Sequence, residues 1–229
     1  MSTIRAFALK KTRIFCSFTP GLFEEFEDLI QYPNESPNFK VLLCGRGDPE
    51  DFELKGYHLA AKAFACEELS KSRCLLLSVG ATDGNQDEVA AKLLNGGISK
   101  KQLVVRKFAR SRDKMRDLLC EVDLVIMPSR TEGFGLIALE ALSAALPILV
   151  GSNSGFAQSI RDLPFGESCI VDSDDPEMWV KAIKSVQANH GECLSNIHEL
   201  RESYREKYDW KEQCKILTEK MRTMVHESS

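Results

Sequence analysis

Leu124-Val125-Ile126-Met127-Pro128-Ser129-Arg130-Thr131-Glu132-Gly133-Phe134-Gly135-Leu136-Ile137-Ala138-Leu139-Glu140 reads as a strand, a turn and a helix. Leu124–Met127 is a continuous apolar run, which suits a parallel strand covered on both faces. Leu136–Ala145 is a helical stretch. The two glycines fall where strand becomes helix. Backbone N–H groups are unpaired at such a junction, and the helix dipole adds positive potential, so the turn suits an anion such as a diphosphate.

Outward from this unit the same alternation repeats. Further short apolar runs lie at Val41–Cys44, Cys74–Val79, Leu103–Val105, Ile148–Val150 and Cys169–Val171. Helical stretches lie at Tyr57–Ser70, Gln86–Asn95, Arg112–Cys120 and Phe156–Asp162, then at Pro176–Asn189, Cys193–Glu206 and Trp210–His226. Regular strand–helix alternation predicts an α/β fold, a Rossmann-like doubly wound parallel sheet with helices on both faces. The expected organisation is one domain over 1–229, with 1–39 as an N-terminal extension and 193–229 as C-terminal helices. Gln31–Phe39 is a loop, and Arg13–Phe18 is a candidate extra strand.

Composition narrows the function. The 229 residues are 43% hydrophobic and 28% charged, values of a globular chain. A net charge of −4 gives no broad basic face, so nucleic acid is not an expected partner. No apolar run is long enough for a transmembrane helix, and the start lacks a signal-peptide pattern. Eight cysteines without a C-x-x-C pair predict reduced, mostly buried thiols in a cytoplasmic protein.

In a doubly wound sheet, ligands bind beyond the carboxyl ends of the strands. Glu132 and Glu140 flank the glycine turn there. An ionised carboxylate only accepts hydrogen bonds, so each matches vicinal hydroxyls. Two carboxylates beside a phosphate cradle suit a sugar on one side and a ribose on the other. Each alone also fits a plainer role, Glu132 as a helix cap and Glu140 on a solvated face. After Val41–Cys44 come Gly45-Arg46-Gly47 and then Lys55-Gly56. Arg46 and Lys55 suit a diphosphate as bidentate fork and point charge, or they pair with Asp48, Glu50, Asp51 or Glu53.

The order Gly-Arg, Lys-Gly, Glu-Gly-Phe-Gly and a second glutamate eight residues after the first resembles the retaining, GT-B-fold glycosyltransferases of family four. Glu140-Ala141-Leu142, Leu146-Pro147-Ile148 and Trp210 extend the match, which spans roughly Val41 to Val225. The resemblance implies the C-terminal, donor-binding domain of such an enzyme. It implies that Arg46, Lys55 and Glu132 are the catalytic set, with Arg46 and Lys55 on the diphosphate and Glu132 on sugar hydroxyls. It implies nucleotide and donor binding by Gly45, Gly80, Phe108, Ala109, Arg110, Gly133, Phe134, Gly135, Leu136 and Glu140, with Glu140 on the ribose and Ala81 close to the nucleotide. No metal cofactor is implied, and a UDP-sugar is the favoured donor. The family's acceptor-holding N-terminal domain has no counterpart in the roughly forty residues before the first strand. An acceptor domain or a larger host polypeptide is therefore an expected partner. The alternative reading is a non-catalytic nucleotide-sugar sensor module, and a third is an interaction domain that has lost its ligand.

Two positions depart from the family pattern. Ala145 stands where a glycine is usual, with a change in packing expected there. Gln158 stands for a glutamate, a lost charge expected to weaken donor binding. Asp172-Ser173-Asp174 mimics a D-x-D metal signature, but the proline-started helix after it points to capping.

Overall fold

The computed structural model describes residues 18–33, 35–45, 52–82, 84–109 and 111–226. Six parallel strands form one sheet: β1 (Phe39–Cys44), β2 (Cys74–Ala81), β3 (Leu103–Lys107), β4 (Leu124–Met127), β5 (Ile148–Gly151) and β6 (Ile170–Val171). Their spatial order is β3-β2-β1-β4-β5-β6. Nine α-helices occur among the described residues: α1 (Tyr57–Ala65), α2 (Glu67–Lys71), α3 (Gln86–Asn95), α4 (Arg112–Glu121), α5 (Leu136–Ser143), α6 (Gly155–Ile160), α7 (Pro176–Ala188), α8 (His190–Lys207) and α9 (Trp210–His226).

Period-two alternation divides the apolar runs between two cores. Leu42 of β1 is paired with Leu77 and Val125 and faces one core with them. That core is closed by α4, α5, α6 and α8 through Leu119, Leu139, Phe156 and Tyr204. Val41 and Leu43, the neighbours of Leu42, face the other core. It is closed by α1, α2, α3 and α7 through Phe64, Leu69, Leu93 and Trp179. Each such buried side chain contributes about 1.5–3 kcal/mol of hydrophobic free energy. The doubly wound sheet expected from the sequence is the observed one.

Differences fall at element ends and at the sheet edge. The helix expected over Tyr57–Ser70 breaks at Cys66, which is extended (ψ 144°) and separates α1 from α2. No proline or glycine marks that break. Strand β3 is not covered on both faces: it is a sheet edge, and Val104 is exposed. The expectation of mostly buried thiols is corrected. Of the described cysteines, only Cys74 and Cys169 are buried, while Cys120 and Cys214 are exposed and all are free. The candidate strand Arg13–Phe18 lies almost entirely outside the described residues.

Helix starts follow the residues that precede them. Asp175 accepts from the Glu177 amide and Pro176 opens α7, so capping accounts for this end of the D-x-D look-alike. Asp172 accepts from the Ser152 hydroxyl. Ser111 and Ser154 cap α4 and α6. No helix among the described residues is long and apolar enough to cross a membrane.

The segment before β1 is built into the fold. Phe26 is fully buried, and the Tyr204 hydroxyl donates to the Pro20 carbonyl at 2.7 Å. The Phe23 amide donates to Ser143 Oγ on α5 at 2.9 Å.

Candidate functional site

The sheet order reverses between β1 and β4, which are neighbours in space although β2 and β3 intervene in sequence. Beyond their carboxyl ends lies a cleft of about 490 Å³. Gly45, Lys55, Phe108, Glu132, Phe134, Gly135, Leu136 and Glu140 all line it. Residues nearly a hundred positions apart in sequence thus share one cavity, as the switch point of an open α/β sheet requires.

Close backbone approach builds the walls. Gly56 has φ 72°, and a Cβ there would stand 1.9 Å from the Pro128 carbonyl oxygen. The Arg130 amide donates to the Leu54 carbonyl at 2.9 Å. Together these seat the Lys55 loop on the turn that follows β4. Gly80 has φ 134°, and a Cβ there would stand 1.9 Å from the Gly45 carbonyl oxygen. That oxygen also accepts from the Tyr57 hydroxyl at 2.5 Å.

The Glu132–Leu136 turn is held by its other neighbour, the loop after β5. The Glu132 amide donates to the Asn153 carbonyl. The Gly155 and Phe156 amides donate to the Gly133 and Phe134 carbonyls. Gly135 enters α5 in the left-handed region (φ 101°), with no side-chain cap. Among the described residues no acceptor engages the amides of Leu136 and Ile137. They point positive partial charge out of the helix start.

Lys55 Nζ and Glu132 Oε2 are 2.6 Å apart, and both side chains are largely shielded. Glu132 Oε1 accepts from the Gly133 amide at 3.2 Å. Glu140 sits inside α5 with its side chain only 17% exposed, which replaces the solvated-face alternative. Burial pushes its carboxyl above the ordinary glutamate range. Arg112, with a nitrogen 3.8 Å from Glu140 Oε1, opposes that rise, and Glu25 reinforces it. Burial, with Glu140 nearby, pushes the Cys44 thiol of the cleft wall up to about 12.

Several expected residues have other positions. Gly80, Ala109 and Gly133 do not line the cleft. Gly80 is a packing contact against Gly45, and Ala109 packs on the core. Arg46 and Arg110 lie outside the described residues. Gln158 is exposed on α6 and is not on the cleft wall. Ala145 has φ 50°, so the missing glycine is felt in the backbone. Sequence reading passed over Tyr57, Ser129 and Ile137, which line the cleft, and Arg112 behind Glu140.

A model of the family described as "Family 4 Glycosyltransferase in conflict systems" matches residues 2–217. D-inositol 3-phosphate glycosyltransferase of Corynebacterium urealyticum is 26% identical over 217 residues, covering 90% of this chain and 48% of that protein. The enzyme of the same name from Acidothermus cellulolyticus is 30% identical over 151 residues, covering 62% of this chain and 32% of that protein. The chain thus spans at most about half the length of these relatives. Among solved structures, Anabaena HepE in complex with UDP and glucose superposes with a TM-score of 0.65 at 19% identity, covering 82% of this chain and 49% of that one. The C-terminal domain of LpcC, a group 1 glycosyl transferase from Francisella tularensis, superposes with a TM-score of 0.61 at 18% identity, covering 82% of this chain and 98% of that one. These likenesses establish a shared fold, that of the GT-B glycosyltransferases.

Proposed function

Because this chain belongs to the family-four glycosyltransferases of conflict systems, we propose that its cleft binds a nucleoside-diphosphate sugar and serves as the donor-binding half of a retaining glycosyltransferase. One observation carries the reading. A helix start whose first amides meet no acceptor among the described residues has a glutamate at each side, and a lysine reaches the first of them, all in one cleft.

In this reading Glu140 accepts from ribose hydroxyls and Glu132 from sugar hydroxyls. Lys55, Arg46 and the Leu136 and Ile137 amides take the diphosphate. Gly45 lies beneath it as a bare backbone, with Gly80 behind. Phe134 and Gly135 shape the turn under the sugar, and Gly133 fixes Glu132. Phe108 lies on the side toward the base, and the family resemblance implies a role there for Ala109 and Arg110 as well. Protein cations and helix amides suffice for the leaving diphosphate, so no metal enters the proposal. UDP is the favoured nucleotide, in keeping with HepE, which was solved with UDP and glucose.

In transfer, the bond from the sugar's anomeric carbon to the phosphate oxygen breaks. A bond from the same face of that carbon to the acceptor oxygen forms. The acceptor's proton leaves with the departing phosphate. No side chain of the cleft need become a covalent nucleophile. The acceptor would be held by a further domain or partner chain, and the free thiols suit a reducing compartment such as the cytoplasm.

Calorimetric titration with UDP, GDP and ADP tests the reading. Saturable binding of one nucleotide, weakened in Glu140→Ala, is the expected result. Absence of binding at millimolar nucleotide would overturn it.

A further inference from the structure

We propose that Arg112 is a positioning residue for Glu140, and that the segment around Phe23–Phe26 holds it in that role. The inference rests on the donor-site reading above, in which Glu140 accepts from ribose hydroxyls.

Arg112 is the first residue of α4, directly after its Ser111 cap. Its guanidinium carbon lies 5.2 Å from the centroid of the Phe23 ring and 5.8 Å from that of Phe26. One guanidinium nitrogen reaches Glu25 Oε1 at 2.8 Å and stands 3.8 Å from Glu140 Oε1. A flat cation on two rings is restrained at low entropic cost, and lysine cannot reproduce that geometry.

The two carboxylates compete unequally. The contact with Glu25 is a hydrogen-bonding distance; the contact with Glu140 is longer. At 3.8 Å the cation attracts the Glu140 carboxylate without consuming an acceptor position on it. Glu140 therefore keeps its oxygens free for hydroxyl donors. The groups described around it are Arg112, Glu25 and the Cys44 thiol, and Arg112 is the cation among them.

The platform and the carboxylate share a frame. The Phe23 amide is bonded to Ser143 Oγ, on the same helix as Glu140. Farther along, Arg116 grips Asp28 through two nitrogens at 2.7 and 2.9 Å and also donates to the Glu25 carbonyl. The chain that precedes the sheet is thereby tied to the helices around the cleft, and Arg112 is its link to Glu140 itself.

Binding of UDP and of 2′,3′-dideoxy-UDP to wild type, Arg112→Ala, Arg112→Lys and Glu25→Gln tests this. The Arg112 side chain is 58% exposed, so the variants should fold, which circular dichroism checks. Arg112→Ala is expected to weaken UDP on the order of tenfold and dideoxy-UDP less than twofold, because the dideoxy ligand offers Glu140 no hydroxyl. Arg112→Lys should recover part of the loss. Glu25→Gln should bind UDP at least as tightly as wild type, since it removes the like charge beside Glu140 while its amide oxygen still accepts from Arg112. Equal losses for both ligands, or a Glu25→Gln loss matching that of Arg112→Ala, would mean that Arg112 merely clamps the segment. Wild type that binds UDP with Arg112→Ala unchanged would refute this inference alone. Wild type that binds no nucleotide would refute the donor-site reading with it.

Discussion

Lys55 and Glu132, 77 positions apart in the chain, meet as a 2.6 Å ion pair inside the cleft. The ammonium has three donors, and Glu132 takes one. Two remain for phosphate oxygens, so the pair need not break when a diphosphate arrives. Lys55→Ala should therefore weaken UDP by tenfold or more while leaving the nucleoside uridine within about twofold, since only UDP carries the phosphates. Competition binding with both ligands checks this. A parallel loss for uridine would make Lys55 a scaffold residue.

Glu140 is stabilised in its neutral form by burial. A carboxyl whose folded-state pKa is raised makes the fold most favourable below the unfolded value. That contribution is lost as pH rises through the folded value. At neutral pH the ionised Glu140 is thus a liability for folding. Glu140→Gln should raise the urea midpoint at pH 7 and weaken UDP on the order of tenfold, because the amide presents a single acceptor oxygen. The stability gain should shrink toward acid pH, and wild-type affinity should fall as Glu140 protonates above the usual glutamate range. A variant less stable than wild type at pH 7 would contradict this.

Ala145 ends α5 with a left-handed backbone. Its amide donates to Leu142 and that of Leu146 to Ala141, the Schellman pattern that favours glycine. An L-residue there costs about 1–2 kcal/mol, and glycine returns about half of that as unfolded-state entropy. Ala145→Gly should stabilise the fold by about 0.5–1 kcal/mol, measured as a denaturant midpoint. Nucleotide affinity should not change, because Ala145 is at the far end of the helix from the cleft.

Gly80→Ala should be severe. It combines φ 134° with a Cβ 1.9 Å from a backbone oxygen beneath the cleft. A loss of about 3 kcal/mol or more is expected, with weakened nucleotide binding in whatever remains folded. Gly84→Ala is the control: φ is 90° there, but among the described residues, its chain neighbours aside, no atom lies within 4 Å of the added carbon, so a cost near 1 kcal/mol is expected. Thermal melts of the two variants should separate clearly.

The sheet and the centre of the site were legible because both depend on local pattern. Leu124–Met127 is apolar on both faces, and Glu132-Gly133-Phe134-Gly135 announces its turn. Other features depend on contacts that no local pattern records. Arg112 reads as an ordinary exposed residue in a helix first turn, and its partners Phe23 and Glu25 lie far upstream. The family resemblance makes Gly80 a nucleotide contact, and its close approach to Gly45 is a contact between strand ends that no local pattern records. The break at Cys66 has no proline or glycine to betray it.

Strand β1 pairs along one edge with β2, its neighbour in sequence, and along the other with β4, Val41 opposite Leu124. Lys55 and Glu132 belong to the two sides of that second seam. The cleft does not exist in a chain that has assembled only β1, β2 and β3, however well those strands pack. A bound donor would therefore act as a rivet across the seam, slowing the parting of the two halves of the sheet and making ligand occupancy a measure of finished assembly.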